Sequence, residues 1–325
     1  MTTIRICHPP IDPEIAAGLA LLGKGAPTTI TAEDIKKLRE VNPEYLISDE
    51  ELRRGGAIEF NEITVPGPAD APDISLLVCR PSGTTAPSAG IYVTHGGGMI
   101  GGDNRAGIDN FLDWVVELGV VLVSVEYRLA PEHPDPALVE DCYAGLVWTG
   151  EHAEELGIDP ARLLVVGGSA GGGLAAAMAL MARDRGGPPL IGQLLMCPML
   201  DDRNETPSSH MLDGEGIWDR TSNLTGWTAL LGDRRGGPDV SSYAAPARER
   251  DLAGLPPAFI DVGEVEVFRD EAVDYATRIW QAGGSAELHI WPGAVHGFDQ
   301  IFPQAAVSQV SISTRTGWVR RLLSP

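Results

Sequence analysis

Several things are scarce in this chain or missing from it, and each shortage closes off a class of molecule. No stretch approaches 18 uninterrupted apolar residues, the length that a membrane-spanning helix needs. The opening residues, Met1 to Pro10, lack the charged start and long apolar core of a secretory leader, so a cytoplasmic protein without membrane attachment is expected. The four cysteines, Cys7, Cys79, Cys142 and Cys197, are widely separated, form no C-x-x-C pair and have no histidine at metal spacing. That pattern indicates neither a disulfide framework nor a zinc site, and free thiols in a reducing compartment are expected. Cationic residues are few: 24 Lys and Arg against 45 Asp and Glu leave a formal net charge of -21. Such a balance opposes binding to nucleic acid or to an anionic membrane.

What the chain does contain is a 43% hydrophobic share spread over 325 residues, enough to bury a large α/β domain with an accessory lobe. Two helical patterns come first, Pro13 to Leu22 and Ala32 to Val41, the second capped by Thr31 and followed by Pro43. Two β-like runs follow, Ala57 to Val65 and Ile74 to Arg80, close enough across Pro66-Gly67-Pro68 for an antiparallel pair. From Gly90 onward short apolar runs alternate with helical stretches. Strands are predicted at 90–94, 120–127, 163–166, 191–196, 258–262 and 286–291, and helices at 106–118, 137–156, 174–183, 269–282 and 304–323. This alternation specifies a mostly parallel central sheet flanked by helices, with ligands beyond the carboxyl ends of its strands. Asp201 to Val240 breaks the rhythm and reads as an insertion over the site. Within it Trp218, Trp227 and Leu230, at roughly helical spacing, are candidates for facing an apolar substrate pocket, against the alternative of packing the insertion on the body.

The stretch that organises the rest runs from Arg162 to Ala177: an apolar run, a serine bracketed by Gly167 and Gly171, then small helix formers. It reads as strand, sharp turn and helix, a G-x-S-x-G arrangement that pushes the Ser169 hydroxyl into solvent. The helix that starts there points free N–H groups at negative charge developing beside the serine. A phosphate loop would need a lysine after its glycines, and none follows. A second glycine cluster, His95-Gly96-Gly97-Gly98, directly follows the apolar run Ile91-Tyr92-Val93, and two such loops suit an oxyanion hole.

A serine nucleophile needs a base. His289 alternates with apolar neighbours and reads as a sheet-face side chain, whereas His296 lies beyond the strand, in a loop returning to the edge that bears Ser169. His95 reads as a loop-shaping residue, and His8, His133, His152 and His210 as surface or packing residues. The carboxylate that would orient His296 is sought after the strand at 258–262. Asp270 and Glu271 are explained by the first turn of a helix; Glu264 and Glu266 remain as loop candidates, with Asp261 a weaker third.

His95-Gly96-Gly97-Gly98, the run Glu126 to Glu132, Gly167 to Gly172, Leu255-Pro256-Pro257, Arg269-Asp270-Glu271 and His296-Gly297-Phe298 together resemble the hormone-sensitive-lipase-like family of bacterial carboxylesterases. Within it the likeness leans toward the acetyl and heroin esterases of soil actinobacteria. The resemblance implies an α/β-hydrolase fold with a helical cap: residues 1–50 and 201–240 as cap, 51–200 and 241–325 as core. It implies nucleophile Ser169, base His296, acid Glu266 and oxyanion donors at the N–H groups of Gly97, Gly98 and Ala170. The function expected is hydrolysis of short-chain, acetyl-like esters of small molecules through an acyl-enzyme, with no cofactor or metal. An amidase or peptidase on the same triad and a non-catalytic small-molecule receptor are the alternatives. The family also allows a homodimer through edge strands or the last helix. Three departures stand out. Glu266 and Val267 replace the more common aspartate and proline, Gly168 stands where aspartate is frequent, and Asp135 stands where an aromatic is usual and reads as a surface change.

Overall fold

The computed structural model describes residues 7–22, 29–40, 47–84 and 86–324; Met1 to Ile6, Val41 and Pro43 lie outside them. Its strands are β1 (Ile58–Val65), β2 (Ile74–Pro81), β3 (Ser88–Thr94), β4 (Val121–Glu126), β5 (Ile158–Gly168), β6 (Leu190–Met196), β7 (Ala258–Val265) and β8 (Ala286–Val295). The longer helices are α1 (Pro13–Leu22), α2 (Asp109–Leu118), α3 (Ala137–Glu151), α4 (Ala170–Arg185), α5 (Arg220–Leu231), α6 (Arg269–Gln281) and α7 (Ala306–Leu323). One sheet holds all eight strands in the order β1-β2-β4-β3-β5-β6-β7-β8. β1 pairs antiparallel with β2, as expected, and β2 with β4, while the other neighbours run parallel.

Parallel strands need crossover helices, which cover both faces, so such strands must be apolar on both sides. β4 and β5 meet that demand. Val121, Val123, Val125, Leu163 and Val165 join one core cluster, and Leu122, Leu164 and Val166 join the other. The first face is covered by α3, α4 and α6, the second by α2 and α7. α4 has no polar side over its first three turns, where residues 170–182 are all buried. Its small side chains permit that depth.

Some boundaries differ from the sequence reading. β5 and β8 run longer than 163–166 and 286–291, because Pro160 and Pro292-Gly293 are absorbed where the strand registers shift. α4 begins at Ala170 rather than Leu174, since burial overrides the poor helix propensity of three glycines. The helix expected at 137–156 is interrupted at His152, and the pattern from Ala32 forms a 3-10 turn followed by Ile35–Arg39.

The strand order places the site. From β3 the chain crosses to β4 on one side, then over to β5 on the other side and onward to β6. The connections therefore diverge between β3 and β5, the switch point where open α/β sheets bind ligands. His95-Gly96-Gly97-Gly98 leaves β3 and Ser169 leaves β5 at this point.

The segment 201–240 holds no strand and carries α5. Buried Asp219 caps α5 by accepting from the Ser222 N–H at 2.7 Å, and it also accepts from the Thr29 hydroxyl at 2.6 Å. The Ile30 N–H donates to Ser222 Oγ at 2.8 Å. Arg39 reaches the loop after β3, donating to the Ile100 carbonyl at 2.7 Å. Asp135 is not the surface change expected: its carboxylate is 7% exposed and takes Arg234 at 2.9 Å, so it ties the turn before α3 to the chain beyond α5.

Behind the glycine loop, Glu126 at the end of β4 accepts from the Asn104 N–H at 2.7 Å. Burial pushes its carboxyl up to about 7, opposed by that hydrogen bond and aided by Asp103 and Glu62. Folding therefore favours the protonated form, and this contribution to stability is lost as pH rises from the unfolded value of about 4.5 through about 7. Glu126→Gln keeps the acceptor and removes the charge. Its melting temperature should exceed that of the wild type at pH 8 and match it near pH 4; an equal difference at both values would refute this account.

Candidate active site

Ser169 sits between β5 and α4 with φ 57° and ψ -124°, a conformation that side chains rarely adopt. The surrounding backbone leaves no easier course. A Cβ on Gly171 would stand 2.0 Å from the Thr94 carbonyl oxygen, so α4 starts pressed against the end of β3. The Ser169 N–H donates to the Met196 carbonyl at 2.8 Å, and the Ser169 carbonyl accepts from the Met199 N–H at 3.0 Å. Both bonds fasten the turn to the end of β6. Gly168 has Met196 beside it, 3.3 Å from where a Cβ would stand, so Met196 fills the space behind the turn.

Ser169 Oγ lies 2.9 Å from His296 Nε2, and His296 Nδ1 lies 3.1 Å from Glu266 Oε1. Those distances make a continuous relay from carboxylate to imidazole to hydroxyl. β8 delivers His296 directly at its end. Glu266 is fully buried, and its Oε2 accepts from the Gly263 N–H at 3.0 Å, leaving Oε1 for the imidazole. Burial works against a charged His296, but the Cys197 sulfur and the Glu266 carboxylate outweigh it and hold its pKa well above the ordinary histidine range. The surroundings thus favour the imidazolium that forms once the ring has accepted a proton.

The structure separates the three acids that the sequence left open. Glu264 turns away and accepts from the Gly293 N–H at 3.0 Å. Asp261 faces α7, accepting from Arg315 at 2.7 Å and from the Trp291 indole at 3.0 Å. Of Asp270 and Glu271, the first accepts from the Ser208 N–H at 2.7 Å and the second from the Leu200 N–H at 2.6 Å.

A cavity of about 410 Å³ opens over the relay, bounded by Leu38, Gly96, Gly97, Gly98, Phe111, Ser169, Ile217, Trp218, His296 and Ile301 among others. Its size is that of a small-molecule site. Gly97 holds φ 111°, and a Cβ there would stand 2.1 Å from the Gly101 carbonyl oxygen. Gly98 (φ 63°) underlies the Trp218 ring, whose Cη2 would be 2.3 Å from an added Cβ. Ala170, the first residue of α4, is fully buried. His95 has the loop-shaping position expected. Its ring stacks on Tyr127 at 4.0 Å, the Tyr127 hydroxyl donates to the His95 carbonyl at 2.7 Å, and burial lowers its pKa to about 4.

Of the two tryptophans singled out, Trp218 lines the cavity and its ring centre is 6.5 Å from that of His296. Trp227 does not line it: this residue is completely buried in the core, on the side of α5 that packs onto the body together with Leu230. Trp218 precedes α5, in the chain that leads into it, whereas Trp227 lies on the buried side of the helix itself. Cys197, which received no role from the sequence, lines the cavity and faces His296. Its place directly after β6, at the same sheet edge, was the available signal.

Comparison with known proteins gives the family. A model of the α/β-hydrolase fold family matches residues 91–300. The chain is 36% identical to carboxylesterase NlhH of Mycobacterium tuberculosis over 94% of its own length and 95% of the relative's. The chain belongs to the hormone-sensitive-lipase-like family of α/β-hydrolases. Ethyl acetate hydrolase of Pseudomonas putida is 28% identical, over 89% of this chain and 92% of that relative. The solved structure of a bacterial heroin esterase superposes on this α/β-hydrolase with a TM-score of 0.89 and 38% identity, covering 97% of this chain and 98% of the other.

Proposed function

We propose that this α/β-hydrolase, a carboxylic ester hydrolase, is a serine esterase that cleaves short-chain esters of small molecules through a Ser169–His296–Glu266 triad. The observation that carries the reading is the unbroken relay at 2.9 Å and 3.1 Å, open on its serine side to a small-molecule cavity. Ser169 Oγ attacks the ester carbonyl as His296 Nε2 takes its proton; Glu266 holds the ring through Nδ1 and stabilises the imidazolium. The proton then passes to the leaving alcohol. Water, activated by the same base, releases the acid from the acyl-enzyme. The N–H groups of Gly97, Gly98 and Ala170 stabilise the charged oxygen of each tetrahedral intermediate.

Residues 1–50 and 201–240 act as the cap in this reading, which the bonds from Thr29 and Ile30 to Asp219 and Ser222 support. Trp218 and Phe111 narrow the cavity and favour short acyl chains. Among the described residues no helix is long and apolar enough to cross a membrane.

Three measurements test these assignments. p-Nitrophenyl esters from acetate to palmitate should be hydrolysed fastest at two to four acyl carbons by about this cavity's size, with all turnover gone in Ser169→Ala; palmitate as preferred substrate would refute the size argument. Glu266→Gln should lower kcat by about 10³–10⁴-fold, whereas Glu264→Gln retains an acceptor for Gly293 and most activity. The reverse ranking would move the acid. Gly97→Val should lower kcat by more than about 100-fold, as loss of an oxyanion donor does, and normal turnover would remove this loop from the mechanism.

A further inference from the structure

The spacing of the cysteines gave no sign of a metal site, yet three strand ends bring together what the spacing kept apart. Cys197 follows β6, Glu266 follows β7 and His296 follows β8. One donor atom from each lies within 4.8 Å of the other two. We propose that these three side chains form an inhibitory site for a thiophilic divalent cation of the zinc type. The inhibition, though not the binding, rests on the reading of His296 as the base.

Sulfur, imidazole nitrogen and carboxylate oxygen are the donors that zinc takes, at about 2.0–2.3 Å in a tetrahedron. Those bond lengths put donors about 3.3–3.8 Å apart, so the trio needs only a small inward shift. Glu266 Oε2 stays on the Gly263 N–H, while Oε1, which faces His296 Nδ1 at 3.1 Å, exchanges that partner for the cation once Nδ1 itself binds the metal. Entry is open because Cys197 and His296 both line the cavity. Charge also favours occupancy. A divalent cation with one thiolate and one carboxylate is neutral overall, the state that a buried cluster tolerates best.

Binding balances as follows. The Cys197 thiol loses its proton to solvent as Sγ joins the metal, and the metal takes the Nδ1 lone pair. The Nδ1 proton leaves to solvent from the imidazolium, or moves to Nε2 in the neutral ring, and in either case the one remaining proton resides on Nε2. That nitrogen now donates to Ser169 Oγ where catalysis requires it to accept, so the serine is left without a base. Three protein donors leave the fourth tetrahedral position to water. Magnesium, which demands six hard oxygen donors, has no comparable set here.

The test uses metal-stripped full-length protein. Calorimetric titration with zinc chloride should give a site in wild type that is retained in Ser169→Ala and weakened at least tenfold in Cys197→Ser. Hydrolysis of p-nitrophenyl acetate, expressed against each protein's own metal-free rate, should be inhibited by zinc, restored by chelator and unaffected by magnesium, with the half-inhibiting concentration at least tenfold higher in Cys197→Ser. Cobalt supplies an independent signature: a thiolate-to-cobalt absorption band in wild type that Cys197→Ser loses. Equal zinc sensitivity in wild type and Cys197→Ser, or a cobalt band unchanged by that substitution, would overturn the proposal. Zinc binding that follows the pattern without any effect on hydrolysis would instead leave the metal site standing and overturn the role of His296.

Discussion

The approach of α4 to the end of β3 is the contact on which the rest depends. Thr94 Oγ1 donates to the Gly171 carbonyl at 2.7 Å, and the Thr94 carbonyl oxygen occupies the space that a side chain on Gly171 would need. With the helix seated so low, the single residue between β5 and α4 must reverse the chain at positive φ, and Ser169 is that residue. Strain of this kind costs on the order of 1–3 kcal/mol and persists only where packing over-determines it. Here thirteen successive buried residues of α4 supply the packing. The same approach leaves room for the glycine loop after β3 beside the serine, so Ser169 and that loop are set by one contact.

Polar groups below the sheet edge are held with equal firmness. Arg315 on α7 is 3% exposed and donates to Asp261 and Asp299 at 2.7 Å each. It joins β7, which leads to Glu266, to the turn Phe298–Ile301, which follows His296. Burial pushes the Asp261 carboxyl up against the pull of Arg315, and this eases the cost of two acids around one cation. Losing one partner of such a cluster typically costs about 3–5 kcal/mol. The loops that carry Glu266 and His296 are therefore anchored on the face of the sheet opposite α4.

Much of this was legible in the sequence because it rests on local patterns. The short apolar runs and their alternation with helices gave the sheet, and glycines bracketing Ser169 gave the turn, since few other residues tolerate such contacts. Strand parity also held information. Phe259 lies in the core under α7, so Asp261, two residues on, faces the same side and is carried away from the cavity. What could not be read depends on pairings across long loops. Trp218 and Trp227 look alike in sequence, but only the seating of α5 decides which meets the cavity. Asp135 found Arg234 ninety-nine residues away. Cys197 came to His296 by the same route, through adjacent strand ends rather than sequence spacing.

The glutamate at position 266 shows how a departure can be accommodated. A carboxylate there must reach His296 Nδ1 while staying fixed enough to orient the ring. Its extra methylene adds a rotatable bond, which left alone would loosen the aim. The Gly263 N–H removes that freedom by holding Oε2 at 3.0 Å, and full burial excludes water from the remaining oxygen. Gly263 can offer its N–H so closely because it lies where β7 and β8 shift register, with the Ala294 carbonyl oxygen 2.4 Å from where a Cβ would stand. The bulge that brings His296 to the edge thus also fixes the acid that faces it, and the longer side chain is matched by a backbone donor three residues upstream.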